Sequence, residues 1–144
     1  MVAFTKYNAF VDEVAAGGHN LKTAVVKAAL TNTAPTPLTD TTWSTGTYPA
    51  PAAANGYTAG GYTMTNSSGA ASAYLFKMIL ADAVATATAG GIGPFRYVIL
   101  YNTSASNKVI GYYDYGSSIT LADTETFTVD ADPTNGVIQL TMTP

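Results

Sequence analysis

The chain has 144 residues, 47% of them apolar and only 10% charged, with no cysteine and a net charge of −3. That length suits one domain with its own hydrophobic core. The missing cysteines exclude a disulfide framework, a thiolate zinc site and a cysteine nucleophile, and six Lys and Arg with no basic run argue against binding to nucleic acid, whose phosphates are gripped by clustered cations.

Charged residues well below the roughly 25% of ordinary soluble domains leave a surface of Thr, Ser, Asn, Gly, Ala and Tyr, which gives up water easily. The first residues, Met1 to Asn8, carry one charge and no apolar run of signal-peptide length. Apolar residues 79 to 93 are interrupted by Asp82, Thr86, Thr88 and glycines, so no membrane span is expected. The expectation is a chain made in the cytoplasm.

Tyr7, Phe10, Val11 and Val14 recur at helical spacing, with Asp12 and Glu13 on the other side and Gly17-Gly18 closing the pattern. A short amphipathic helix over residues 6 to 16 follows, with Thr5 as its cap. In the next segment Ala24, Val26, Ala28 and Leu30 alternate and β-branched residues are frequent, which favours a strand over residues 21 to 30.

Residues 31 to 73 are rich in Thr, Ala, Gly and Pro; Pro35, Pro37, Pro49 and Pro51 deny ladder hydrogen bonds. So long a connection is uncommon unless it is functional or disordered. Its Trp43, Tyr48, Tyr57 and Tyr62 imply that it lies against a surface, either of its own domain or of a neighbouring copy.

From residue 74 onward the pattern is strand-rich. Tyr74, Phe76, Met78 and Leu80 alternate. Residues 95 to 101 are apolar on nearly both faces, as in a central strand, and the polar run 102 to 107 turns them into a partner at 109 to 115. Glu125, Phe127 and Val129 alternate with threonines, and the turn residues 130 to 136 lead to a last strand with Ile138, Leu140 and Met142 inward, which reads as a second hairpin. One domain over 1-144 is expected, an antiparallel β-sandwich or barrel with one N-terminal helix and a long excursion.

Few residues suggest chemistry. His19, the only histidine, follows the helix in Gly17-Gly18-His19-Asn20 without the nucleophile and orienting group of a triad, so it reads as a loop residue. Asp130, Asp132, Asn135 and Gly136 partly match a calcium loop, but the third ligand and the glycine are misplaced and no glutamate closes it; a turn at Asn135-Gly136 accounts for them. Asp123 and Glu125 read as a solvated pair, and Gly90-Gly-Ile-Gly93, lacking the lysine and hydroxyl of a phosphate loop, as a link before Pro94. Tyr97, Tyr101, Tyr112, Tyr113 and Tyr115 fall on two adjacent strands, where they serve a β-core or an association face. No catalytic residue, metal site or cofactor is expected.

The segments Phe4-Thr-Lys-Tyr-Asn-Ala-Phe10, Ala28 to Pro35, Asn55 to Gly61, Gly93 to Asn102 and Asp114 to Asp123 together resemble a group of small virion proteins of tailed bacteriophages. Members serve as capsid decoration (cement) proteins, tail components or unassigned structural proteins. The resemblance implies a non-enzymatic structural protein on the capsid surface of the virion, made in the host cytoplasm. Its implied partners are the major capsid protein and its own copies as a homotrimer, with neither nucleic acid nor membrane. The alternative is a tail or fibre component, with exposed Trp43 and tyrosines binding glycan. Aromatics outside the clearest strands, Phe4, Tyr7, Trp43, Tyr48, Tyr57 and Tyr62, are the expected assembly contacts.

Overall fold

A computed structural model describes residues 2 to 143. It is a mainly β fold of antiparallel sheets with one short N-terminal helix. In chain order come β1 (Phe4–Lys6), α1 (Asn8–Ala15), β2 (Val26–Thr31), β3 (Tyr62–Met64), β4 (Leu75–Met78) and β5 (Ala83–Thr86), then β6 (Ile92–Asn102), β7 (Lys108–Leu121), β8 (Thr126–Val129) and β9 (Ile138–Thr141). Five of them form one sheet in the order β1-β7-β6-β2-β3; β4 pairs with β9 and β5 with β8 as two ribbons.

The expected central hairpin is present and longer than the sequence indicated. β6 lies between β7 and β2, with Val98 opposite both Tyr113 and Leu30. Residues 98 to 102 are buried without interruption, as required of a strand covered on both faces. Between β6 and β7, Asn102 caps a single 3-10 turn over Thr103–Ala105 by accepting from the Ser104 N–H at 3.0 Å.

The second expected hairpin is not formed. β8 pairs with β5, and β9 with β4, so residues 130 to 136 cross between two ribbons. Local bonds direct the crossing: the Ala131 N–H donates to Asp82 Oδ1 at 2.9 Å, and the Val137 N–H to the Met78 carbonyl at 3.0 Å. Both acceptors lie at the ends of β4 and β5, so the chain leaving β8 is handed to a different partner.

The helix is shorter than residues 6 to 16, and Thr5 is not its cap. Thr5 belongs to β1, opposite Tyr112, and the capping position falls on Tyr7, whose side chain makes no capping bond. Phe10 is buried, whereas Val11 is 58% exposed.

The excursion 31 to 73 is pinned to its own domain. Thr31 Oγ1 donates to the Pro49 carbonyl, the Asn8 N–H to the Pro37 carbonyl and the Trp43 N–H to the Asn107 carbonyl, each at 2.8 Å. Gly61, at φ +88°, passes so close to Ala28 that any Cβ would collide with its carbonyl oxygen; only glycine fits that approach. One core joins the five-stranded sheet to Met78 and Ile138 of one ribbon and Ala85 and Val129 of the other.

Candidate assembly surface

The six aromatic residues expected at contacts lie against their own chain. Tyr7, Tyr48, Tyr57 and Trp43 are buried, and Phe4 and Tyr62 are half-buried. Tyr7 and Tyr48 share a hydroxyl hydrogen bond of 3.0 Å, and Tyr48 donates in turn to Asp40, which also accepts from the Thr36 N–H at 2.6 Å. Burial pushes both phenol pKa values well above the usual range, aided at Tyr7 by the bond to Tyr48 and at Tyr48 by the bond to Asp40. The chain Tyr7, Tyr48, Asp40 therefore ties the start of α1 to the excursion, and neither phenol gives up its proton at neutral pH.

Trp43 stacks on Tyr101 with ring centroids 4.4 Å apart and planes 11° from parallel. The Tyr57 hydroxyl accepts from the Leu30 N–H at 3.2 Å, and Tyr62 meets the Tyr57 ring edge-on at 5.6 Å. Phe4 packs on Tyr113 at 5.0 Å and lies over Gly111, where a Cβ would displace it. Burial pushes Tyr57, Tyr101 and Tyr113 up to about 12. Of the five sheet tyrosines, Tyr97, Tyr101 and Tyr113 are core residues; Tyr112 and Tyr115 are half-buried.

His19 is 6% exposed beside Phe10, with ring centroids 5.1 Å apart. The Asn102 amide is oriented by its Oδ1, which accepts from Ser104, so its Nδ2 donates to His19 Nδ1 at 3.2 Å. The imidazole is thus neutral with its proton on Nε2, a buried atom without a partner. Desolvation lowers its pKa below the ordinary value; Glu13 opposes this and Lys108 adds to it.

The acidic candidates organise turns. Asp132 accepts from the Thr134 and Asn135 N–H groups, both at 2.8 Å, and from Asn135 Nδ2, which holds its carboxyl below the usual range. Asp123 and Glu125 accept from the Ala89 and Ala122 N–H groups, each at 2.7 Å. Among the described residues no group of three His, Cys, Asp or Glu could hold a metal ion.

What sequence reasoning missed is the exposed apolar surface, which gathers on the β4–β9 ribbon. Directly opposed residues of an antiparallel pair share a face, so Met78 and Ile138, then Phe76 and Leu140, form successive rungs of one apolar face. The first rung is buried; in the second Phe76 is half-buried and Leu140 40% exposed; beyond it Met142 is 75% exposed. The ribbon outruns its cover. Leu140 and Met142 are therefore not inward residues, although their alternation predicted it.

At the outer end Ser72 and Leu75 exchange both backbone hydrogen bonds, each 3.0 Å, around Ala73 and Tyr74. Both central residues have positive φ, +50° and +61°. This is the type I′ arrangement that normally takes Asn-Gly. Tyr74, 65% exposed, is held outward by a strained backbone.

Neither a scan of protein-family models nor searches of curated proteins and of solved structures found a match to this chain.

Proposed function

We propose that this protein is a structural component of a tailed-phage virion, a decoration protein that binds the outside of the capsid and stabilises it without performing chemistry. The observation that carries the reading is the ordered resemblance of five segments to small virion proteins. Four of the segments supply β1, the start of α1, most of β2, nearly all of β6, and the second half of β7, and Asn55 to Gly61 lies in the excursion. They are largely the strands of the central sheet, so the resemblance speaks for the scaffold, while contact surfaces are free to differ. A low-charge exterior fits the role, because burying Thr, Ala and Gly against a shell requires little charge desolvation.

In the alternative, a tail or tail-fibre component, glycan binding would need an exposed aromatic groove, and Trp43 is stacked inside the domain on Tyr101. A tail component without glycan binding differs from a decoration protein in its place in the virion. Cryo-electron microscopy of purified virions tests the decoration reading. Density fitting this fold over the outer shell, bridging neighbouring capsid subunits, is the expected result; density confined to tail rings or fibre tips would exclude it.

A further inference from the structure

We infer that the free edge of β9 is the surface through which two copies of this chain associate, strand to strand, about a two-fold axis. The inference is independent of where in a virion the protein sits, and it departs from the homotrimer that the resemblance implies.

The edge follows from the backbone bonds. Leu75 commits both its N–H and C=O to Ser72, so β4 bonds β9 through its even-numbered residues, beginning with the Met142 N–H to the Tyr74 carbonyl at 3.0 Å. Alternation then turns the N–H and C=O groups of Gln139 and Thr141 away from β4. Among the described residues β9 pairs with no second strand. Both residues are exposed, and a bare strand edge is a template for another chain.

Within residues 137 to 143 the sequence does not blunt this edge. Residues 137 to 143, Val-Ile-Gln-Leu-Thr-Met-Thr, contain no charge, glycine or proline, whereas monomeric proteins usually protect an edge with lysine, proline or a bulge. An uncharged strand also meets its own copy without electrostatic repulsion. Beside it runs a mostly apolar groove of about 230 Å³, lined by Phe10, Val11 and Val14 of α1 and by Ile138, Gln139 and Leu140, with Lys6 as its one charged wall.

Strands related by a two-fold axis run antiparallel, and the uncharged run is centred on residue 140. Gln139 of each copy then exchanges two hydrogen bonds with Thr141 of the other, and the two Leu140 side chains meet at a non-hydrogen-bonded position on the apolar face. Met142, exposed in one chain, falls opposite Ile138 of the second copy and gains a neighbour there. Val11, Leu140 and Met142, exposed to 58%, 40% and 75%, supply the apolar part of the contact. The contact is smaller than the roughly 800 Å² a side of a standard specific interface. A dimer of modest affinity results.

Light scattering and sedimentation on the 144-residue chain, from micromolar to near-millimolar concentration, should show twice the monomer mass at the upper end. Thr141→Pro removes an outward N–H without touching the β4 ladder, and Leu140→Lys places two like charges at the axis; each should weaken association at least tenfold with an unchanged circular dichroism spectrum. In case either variant misfolds, Leu140→Cys provides an independent measurement. Non-hydrogen-bonded pairs hold their Cα atoms about 4.5 Å apart, within disulfide range, so mild oxidation should cross-link two copies through this cysteine. A chain that remains monomeric, a trimer, or a dimer indifferent to all three substitutions would overturn the inference.

Discussion

Buried polar side chains set the sharpest expectations for single residues. In Tyr48→Phe the Tyr7 hydroxyl loses its partner in a fully buried position, and an orphaned buried hydroxyl costs about 1–3 kcal/mol. Urea denaturation should show a loss of that size. At His19 the folded state favours the neutral ring, so its contribution to stability is fully present above the unfolded pKa of about 6.5. It is lost progressively as pH falls through the lower folded value, because the unfolded chain takes up the proton first. Unfolding free energies measured between pH 7 and 5 should fall for the wild type and fall less steeply for His19→Phe. The sequence identified His19 as a loop residue without partners for catalysis. It could not show that Asn102, 83 positions away, orients the ring.

Among the elements, the turn at Ala73-Tyr74 stores strain. Each L-residue in the left-handed region costs roughly 1–2 kcal/mol, and Asn-Gly is the preferred pair for this turn. Ala73→Asn with Tyr74→Gly should therefore stabilise the fold by about 1–2 kcal/mol and raise Tm by roughly 2–4 °C per kcal/mol, measurable by calorimetry. The sequence could not reveal this turn, since neither residue signals it. The hairpin of β6 and β7 was legible because two apolar runs flank a polar one. The same logic failed for β8 and β9: alternation reports which face is buried, not which strand is adjacent, and the bonds from Ala131 to Asp82 and Val137 to Met78 decide the pairing. β5 is hard to see in the sequence because its buried residues are alanines, Ala83 and Ala85, which carry little strand signal. Leu140 and Met142 depart from their pattern for a related reason. Their alternation is genuine, but the cover ends at Ile138.

Across the whole molecule stability is uneven. The five-stranded sheet encloses the uninterrupted buried run of β6, whereas the β4–β9 ribbon has two strands and one open edge. In dilute solution, amide exchange should be slowest for residues 98 to 102 and fast for Gln139 and Thr141; the two outward amides should gain protection as concentration rises. The aromatic-rich excursion was legible as a segment that must lie on something, and its attachment to its own sheet through Thr31, Trp43 and Gly61 came only with the fold. That attachment has an optical consequence. Trp43 is the only tryptophan, and it lies face to face with Tyr101 where the excursion meets the central strand. Its emission is therefore a local reporter of one seam: a red shift that precedes loss of the far-ultraviolet signal during heating would mark the excursion peeling from an intact sheet, and coincident transitions would mean that seam and sheet melt as one unit.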